Sequence, residues 1–310
     1  MPDIANALKF QKKMMGIESA YLKQIDQYRR ETRRILLEII DREGVSRPAV
    51  NQMINAVTDM SRSISVVASI ASKDARNTVA NYTRKQLQVA KRVGLTDSVD
   101  LAPVLSRGSR AAQDGEQSYM TNTSAWLSQL ETSLQTQAAK LRISNAAPDE
   151  VVNRLLSESL ADGRASVWRA SGSAAQSEET LNLWNYGVGL LGVYIAAVND
   201  SQPVVQYKKQ VVATIDERTT ECCLEAHGQI QPIDEPFQLT GEPRFADEMQ
   251  DMPFHWYCRS SEVLYHEEFE QVGITTAEME DAAQAELTAR RETGTRAPIY
   301  PSHATARRGS

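Results

Sequence analysis

Apolar residues recur at helical spacing over the first ninety positions of the chain. One stripe advances by three or four positions at a time and consists of Ile17, Tyr21, Ile25, Tyr28, Thr32, Ile35 and Ile39. A second stripe has the same spacing and consists of Val50, Met53, Val57, Met60, Ile64 and Val67. This pattern predicts two long helices, over residues 5–43 and up to about residue 93, each with one face packed on a partner helix.

Helix-ending and helix-starting residues separate the two stripes. Gly44 is suited to end the first helix, and Ser46 to cap the second helix with Pro48 in its first turn. Gly94 is expected to end the second helix. Weaker helical patterns follow, and the predicted segments are residues 122–142, a helix opening at Pro148, residues 164–198 and residues 275–291.

A glycine pattern inside the 164–198 segment needs a separate interpretation. Residues 187–192 read GVGLLG, which matches the glycine spacing of dinucleotide-binding loops. Such a loop follows a strand and opens a helix, whereas this pattern lies within a helical stretch. We therefore interpret these glycines as positions where helices pack closely.

The pattern changes character after residue 200. Residues 203–216 are rich in β-branched residues and predict a strand, and residues 260–269 predict another. Residues 228–255 contain four prolines and two glycines, which favour loops and short strands. The predicted fold class is therefore mainly α. An elongated helical region (1–200) precedes a small α+β Cys/His module (201–272) and a C-terminal helix with an extended tail (273–310).

Charge is distributed unevenly along a chain whose net charge is −6. Residues 1–50 carry a net charge of +3, whereas residues 215–270 carry −11. Four arginines at positions 29, 30, 33 and 34 form either a solvated helix face or a strip that contacts an acidic surface or DNA. The longest apolar run, residues 186–198, is too short for a stable membrane span.

Cysteine and histidine are rare in this chain but concentrated in two short segments. Cys223 and His227 are four positions apart, and His255 and Cys258 are three positions apart. Two thiolates and two imidazoles form a closed tetrahedral shell for Zn²⁺, and a closed shell is structural. The alternative is a reduced Cys–His cluster that packs without metal. Because neighbouring side chains on a helical turn diverge, Cys222 is expected to point away from the other four.

The surroundings of these cysteines disfavour two other functions. Acidic residues flank the cysteines and oppose the thiolate form that a nucleophile needs, so we expect no catalytic residue here. The negative charge of residues 215–270 also opposes contact with nucleic-acid phosphates in this module.

Two segments together resemble a known family. DERTTECCLEAHGQIQPID (216–234) and PFHWYCRS (253–260) are similar to the C-terminal signature of phage head morphogenesis proteins, the Mu F-like minor head protein family. The matching positions are Asp216, Arg218, Thr219, Cys223, His227, Gly228, Pro232, Asp234, His255, Cys258 and Arg259. Thr220 and Ser260 stand where many members have cysteine, Cys222 is extra, and Met252 and Pro253 replace the usual proline pair.

The resemblance implies a function based on binding rather than on chemistry. It implies a minor capsid protein that contacts the portal or other head proteins and supports head assembly and DNA delivery. Its location would be the capsid interior or portal vertex, and the host cytoplasm during assembly. One alternative is a DNA-binding packaging or ejection factor that holds packaged DNA through the basic N-terminal helix or the C-terminal tail. A second alternative is an effector enzyme with a Mu F-type module.

Overall fold

The computed structural model describes most of residues 4–95 and 186–294. The described residues are 4–44, 46–95, 183, 186–201, 204–216, 219–239, 247–255, 258–272 and 276–294, with isolated positions between 102 and 139. This part is mostly helical with a small sheet, which confirms the predicted fold class. The C-terminal tail, the predicted Pro148 helix, residues 164–182 of the predicted 164–198 helix and most of the predicted 122–142 helix lie outside the described residues.

The described helices and strands follow one another in a simple order. The helices are α1 (Ile4–Glu43), α2 (Arg47–Arg92), α3 (186–201), α4 (Glu221–Glu225) and α5 (Thr276–Thr293). The strands are β1 (Lys208–Val212), β2 (Ile230–Pro232), β3 (Phe237–Gln238), β4 (Glu248–Met249) and β5 (Ser261–Tyr265). A 3₁₀ helix, Glu267–Val272, follows β5.

Contacts group the chain into two compact units. The first contains residues 1–16, 73–115 and 183–310, and the second contains residues 17–72 and 116–182. Each unit is therefore assembled from separate stretches of chain. The predicted division at residues 200 and 272 stays a prediction.

In the second unit, residues 17–43 of α1 and 47–72 of α2 carry the predicted apolar stripes. Within the first stripe, Tyr21, Ile25, Thr32 and Ile39 are buried and the other members are partly buried. All described side chains of the second stripe are buried, which confirms that both stripes are covered faces.

The turn between α1 and α2 forms as the sequence predicts. Gly44 adopts a φ of 62°, a left-handed conformation that glycine reaches without strain. The hydroxyl oxygen of Ser46 accepts a hydrogen bond of 3.1 Å from the Ala49 amide, which caps α2. On the solvated side of α1, Arg30 pairs with Asp26 at 2.7 Å. Arg34 likewise pairs with a glutamate on its own helix, which favours the solvated-face interpretation of the arginine strip.

The first unit holds a three-stranded antiparallel sheet with β1 between β2 and β5. Strand β1 is shorter than the predicted strand 203–216. The Ala213 amide donates to the His227 ring instead of continuing the backbone hydrogen bonds of the sheet. Gln11, on the first turns of α1, donates to the Val212 carbonyl at 2.9 Å and to the Ser261 hydroxyl at 3.0 Å. The N-terminal turns of α1 are thereby fixed to the sheet.

One face of the sheet carries two buried ionisable side chains. Lys209 and Glu262 are 1% and 0% exposed. The Lys209 ammonium group donates to the Gln250 carbonyl, lies 3.2 Å from an Asp251 carboxylate oxygen and faces the Phe237 ring at 4.9 Å. Among the described residues, neither carboxyl oxygen of Glu262 accepts a hydrogen bond. This carboxyl group is buried without the partners that normally stabilise a charge.

The 187–192 glycine pattern lies inside α3, and two of its glycines are close-packing positions. A Cβ atom on Gly187 would lie 2.4 Å from the Met14 methyl carbon, and one on Gly192 would lie 2.6 Å from a Glu262 carboxyl oxygen. A side chain at either position would displace its neighbour. This geometry supports the packing interpretation of the motif. No helix among the described residues is both long and apolar enough to cross a membrane.

Candidate functional site

A tight turn after β1 leads the chain into the cysteine segment. The Thr219 amide donates to the Asp216 carbonyl at 3.0 Å, and the Thr219 hydroxyl lies 3.0 Å from the Asp216 carboxylate. The same hydroxyl also contacts the Thr214 carbonyl. Asp and Thr are suited to such turns because their short side chains bond to nearby backbone groups. The turn delivers Thr220 directly to the start of α4.

The short helix α4 places both vicinal cysteines inside the module. Cys222, Cys223 and Leu224 are each at most 1% exposed. Leu224 packs with Ala283 and Leu287 of α5, so the helix is held by apolar contact on that side. Because α4 has only five residues, this packing rather than helix propensity fixes its position.

The second segment forms a turn just before β5. The Cys258 amide donates to the His255 carbonyl at 3.2 Å, and both side chains are 2% exposed. This turn brings the imidazole and the thiol to the same side, as the three-residue spacing predicts.

The two segments meet in one buried cluster. The Cys223 sulfur lies 3.1 Å from Nε2 of His255 and 3.6 Å from the Cys258 sulfur. The ligand atoms of Cys222, Cys223 and His255 all lie within 4.8 Å of one another. The Thr220 hydroxyl contacts the cluster at 2.8 Å from the same His255 nitrogen and 3.1 Å from the Cys222 sulfur. Three thiols, one imidazole and one hydroxyl thus converge.

Burial sets the protonation of this cluster when no cation is present. Desolvation raises the pKa of Cys223 and of Cys258 well above the ordinary value for a thiol. Both are therefore neutral thiols at physiological pH, and the cluster lacks the thiolate that nucleophilic catalysis needs. A bound metal ion reverses this preference by displacing the protons.

His227 is the predicted ligand that the structure places elsewhere. Its Nδ1 accepts a hydrogen bond of 2.8 Å from the Ala213 amide, which follows β1. Burial lowers its pKa to about 4, so the ring is neutral. A neutral ring that accepts at Nδ1 carries its proton on Nε2, which leaves neither nitrogen free for a metal.

The reason for this difference is the length of α4. The four-residue spacing from Cys223 to His227 aligns side chains only on a continuous helix. The helix ends at Glu225, and the chain turns through Gly228 at a φ of 89°. His227 therefore rotates toward the end of β1 instead of toward Cys223.

The structure also changes the prediction for Cys222, but here it adds a residue to the cluster. We expected it to point away, but its sulfur belongs to the cluster. Neighbouring side chains on a helix diverge at the backbone, yet each sulfur can swing toward the other within the few ångströms that a shared ion requires. Thr220 occupies the position where many proteins of the resembled family have cysteine, and its hydroxyl contacts the cluster. Cys222 thus supplies a thiol that Thr220 does not.

The remaining signature residues shape the backbone around the cluster. The Gly228 amide donates to the Val211 carbonyl at 3.0 Å, and a Cβ atom on Gly228 would lie 3.0 Å from the Glu280 side chain on α5. The Arg259 carbonyl accepts a bond of 2.9 Å from the Thr214 hydroxyl. These contacts attach the cysteine segment to the sheet. Arg218 lies outside the described residues.

Arg290 on α5 is an important residue that the sequence pattern does not indicate. Its guanidinium group is buried and donates at 2.6 Å to both the Thr219 and the Asp216 carbonyl oxygens. It also pairs with Glu286 at 2.7 Å on its own helix. The C-terminal helix therefore holds the turn that precedes the cysteines. An arginine late in a helix is equally expected from the helix dipole, so no sequence signal distinguishes it.

The donor set is suited to a metal ion. Two zinc-bound thiolates lie about 3.8 Å apart in a tetrahedral site with bonds of about 2.3 Å, which is close to the 3.6 Å between the Cys223 and Cys258 sulfurs. The side chains of the cluster are at most 2% exposed. The cluster could therefore hold a metal ion away from solvent.

Comparisons with protein-family models, with curated proteins and with solved structures find no match to this chain.

Proposed function

We propose that this protein is a phage minor head protein that binds the portal or other head proteins and supports head assembly and DNA delivery. The observation that carries the proposal is the convergence of the signature segments. The Asp216–Thr219 turn, Cys223 and the His255–Cys258 turn build one buried centre, although Cys223 and His255 are 32 positions apart. Residues that resemble a family signature thus also act as one structural unit.

The proposed mechanism is binding through helices. The two long helices of 40 and 46 residues have one buried and one polar face, and the polar face of each is available to partners. The cysteine module keeps the β-rich part compact. Without bound metal, the Cys223 and Cys258 thiols are neutral, which disfavours nucleophilic catalysis. The protein would act in the virion, inside the capsid or at the portal vertex, after assembly in the host cytoplasm.

A DNA-binding packaging or ejection factor is the second candidate. It is favoured by the segments 4–16 and 73–92, which together carry nine lysines and arginines and one acid. Phosphate contacts dominate the affinity for DNA, so such a patch is the expected footprint.

The test is the composition of particles produced by the genome that encodes this chain. Heads and DNA-filled particles are separated on a density gradient and probed with an antibody against the purified protein. We expect the protein in both fractions, because it binds head proteins. Its absence from both fractions, while it is present in the lysate, would refute the proposal. Presence in DNA-filled particles alone would favour the second candidate.

We further propose that the buried cluster binds one Zn²⁺ ion through Cys222, Cys223, His255 and Cys258. The support is the tetrahedral edge between the Cys223 and Cys258 sulfurs, the gathering of the Cys222, Cys223 and His255 ligand atoms within 4.8 Å, and the preference of zinc for thiolate and imidazole. Cys258 is not part of that three-residue group and joins it through Cys223, and all four residues are buried. Bound zinc would close the long connection between α4 and the turn before β5, and would add its binding free energy to the stability of the fold.

Two matched variants test this ligand set. Zinc per chain is measured by elemental analysis of the purified protein, and the cobalt-substituted form is examined for thiolate-to-metal absorption. We expect about one zinc per chain in the wild type and in His227→Gln, and loss of the ion in Cys222→Ser. Loss in His227→Gln with retention in Cys222→Ser would restore the ligand set expected from sequence. A wild type without zinc would refute the proposal.

A further inference from the structure

A basic cavity lies between the start of α1 and the second half of α2, remote in sequence from the cysteine cluster. Its volume is about 420 Å³, which is within the range of small-molecule sites. Four solvent-exposed cationic side chains line it, namely Lys9, Lys13, Arg84 and Lys85. Among its lining residues there is no carboxylate. The cavity belongs entirely to the first compact unit.

These charges are not neutralised within the described part of the chain. Arg84 donates to the Asn81 side chain at 2.8 Å, which orients the guanidinium group without compensating its charge. None of the four cations forms an ion pair with a described residue. This contrasts with the arginine strip of α1, where Arg30 and Arg34 pair with acids on the same helix. A concave group of unpaired cations focuses a positive potential on the cavity.

The cavity has a rigid wall. Phe10 of α1 stacks on Tyr82 of α2 with ring centroids 4.9 Å apart and an interplanar angle of 22°. Both rings are at most 4% exposed, so the stacked pair fixes the two helices beneath the cations. Asn6, Thr78, Asn81 and Gln88 complete the lining, and the amide groups of Asn81 and Gln88 are hydrogen-bond donors. The binding groups are therefore carried by helices and not by a mobile loop.

We propose that this cavity binds a small polyphosphate anion, such as a nucleoside triphosphate or inorganic triphosphate. Two observations favour a compact anion: the four cations line one concave space of about 420 Å³, and their charge matches the roughly four negative charges of a triphosphate. Binding is non-covalent and stabilises the contact between α1 and α2. The inference does not depend on the proposed role in phage heads.

Titration calorimetry of the full-length protein tests the site, with inorganic triphosphate and ATP as probes. We expect one saturable site whose affinity falls as salt rises. The variant Lys9→Gln/Lys85→Gln should bind about a hundredfold more weakly, at about tenfold for each lost charged contact. Lys12→Gln/Lys23→Gln removes two exposed lysines of α1 that do not line the cavity, and should change the affinity less than twofold. Circular dichroism is used to check that all variants melt like the wild type.

Three results would overturn the proposal. The first is no saturable binding of either probe to the wild type. The second is an equal loss of affinity in the two double variants, which would indicate a general charge effect. The third is tight binding of duplex DNA that depends on Lys9 and Lys85 and that triphosphate fails to displace, since the residues would then form part of an extended nucleic-acid surface.

Discussion

Glu262→Gln is expected to raise the free energy of unfolding, relative to the wild type, by about 3 kcal/mol more at pH 8 than at pH 5. Burial, helped by the nearby Asp251 carboxylate and opposed by the Lys209 ammonium group, raises the pKa of Glu262 to about 8. The Met252 amide has the smallest influence and does not form a hydrogen bond of normal geometry with the carboxyl group. The folded protein therefore retains a proton that the unfolded chain releases near pH 4.5.

The sign of the effect follows from this proton. Stability from the protonated carboxyl group is fully present below about pH 4.5, declines as the pH rises, and is lost once the pH passes about 8. Glutamine has nearly the same shape and no proton to release, so the variant lacks this decline. Denaturant unfolding curves at pH 5 and pH 8, followed by circular dichroism, measure the difference.

Glu267→Gln provides a matched control for this variant. Glu267 follows the same strand, but its side chain is 76% exposed and pairs with Lys208 at the surface. Its removal should change stability by less than about 0.5 kcal/mol at either pH. If Glu262→Gln shows the same pH dependence as the wild type, Glu262 is already ionised in the fold and its environment differs from the one described.

Arg290→Met is expected to destabilise the protein by about 3–5 kcal/mol. The substitution preserves much of the buried volume but removes the three hydrogen bonds that the guanidinium group donates to Glu286, Thr219 and Asp216. Two carbonyl oxygens of the turn before α4 would then lack their charged donor inside the module. Thermal and denaturant unfolding measure this loss.

The adjacent arginine provides the control. Arg291 is exposed on the same helix, so Arg291→Met should alter stability by less than about 0.5 kcal/mol. Arg290→Lys should recover only part of the loss, because one ammonium group cannot match the fork that reaches both carbonyls. A stability of Arg290→Met within 1 kcal/mol of the wild type would contradict the role of this contact.

The helices were predictable because their signals are local. The apolar stripes repeat over many turns, and Gly44, Ser46 and Gly94 mark the ends with side-chain chemistry that acts within a few residues. Most of the cluster was predictable for a similar reason, since the His255–Cys258 spacing corresponds to one tight turn.

The rest of the site depends on contacts between distant segments. The sequence indicates a helical turn from Cys223 to His227, but does not show that α4 ends before His227 or that the Ala213 amide binds its ring. The burial of Glu262 is equally invisible, because a glutamate next to a serine pair is expected at a strand surface. Its environment is set by Gly192 on α3, which is 70 positions away, and by Asp251 in the preceding loop.

The docking of Gln11 on the sheet has a consequence for the order in which the chain can fold during synthesis. Its two hydrogen bonds join positions 201 and 250 residues apart. Helix α1 therefore leaves the ribosome long before β1 and β5 are synthesised. Until then, the Gln11 side chain and the apolar face beside it remain exposed to solvent. Contacts of such long range slow folding and leave apolar surface exposed meanwhile. In a translating cell, this helix is the segment for which chaperones have the longest opportunity to bind.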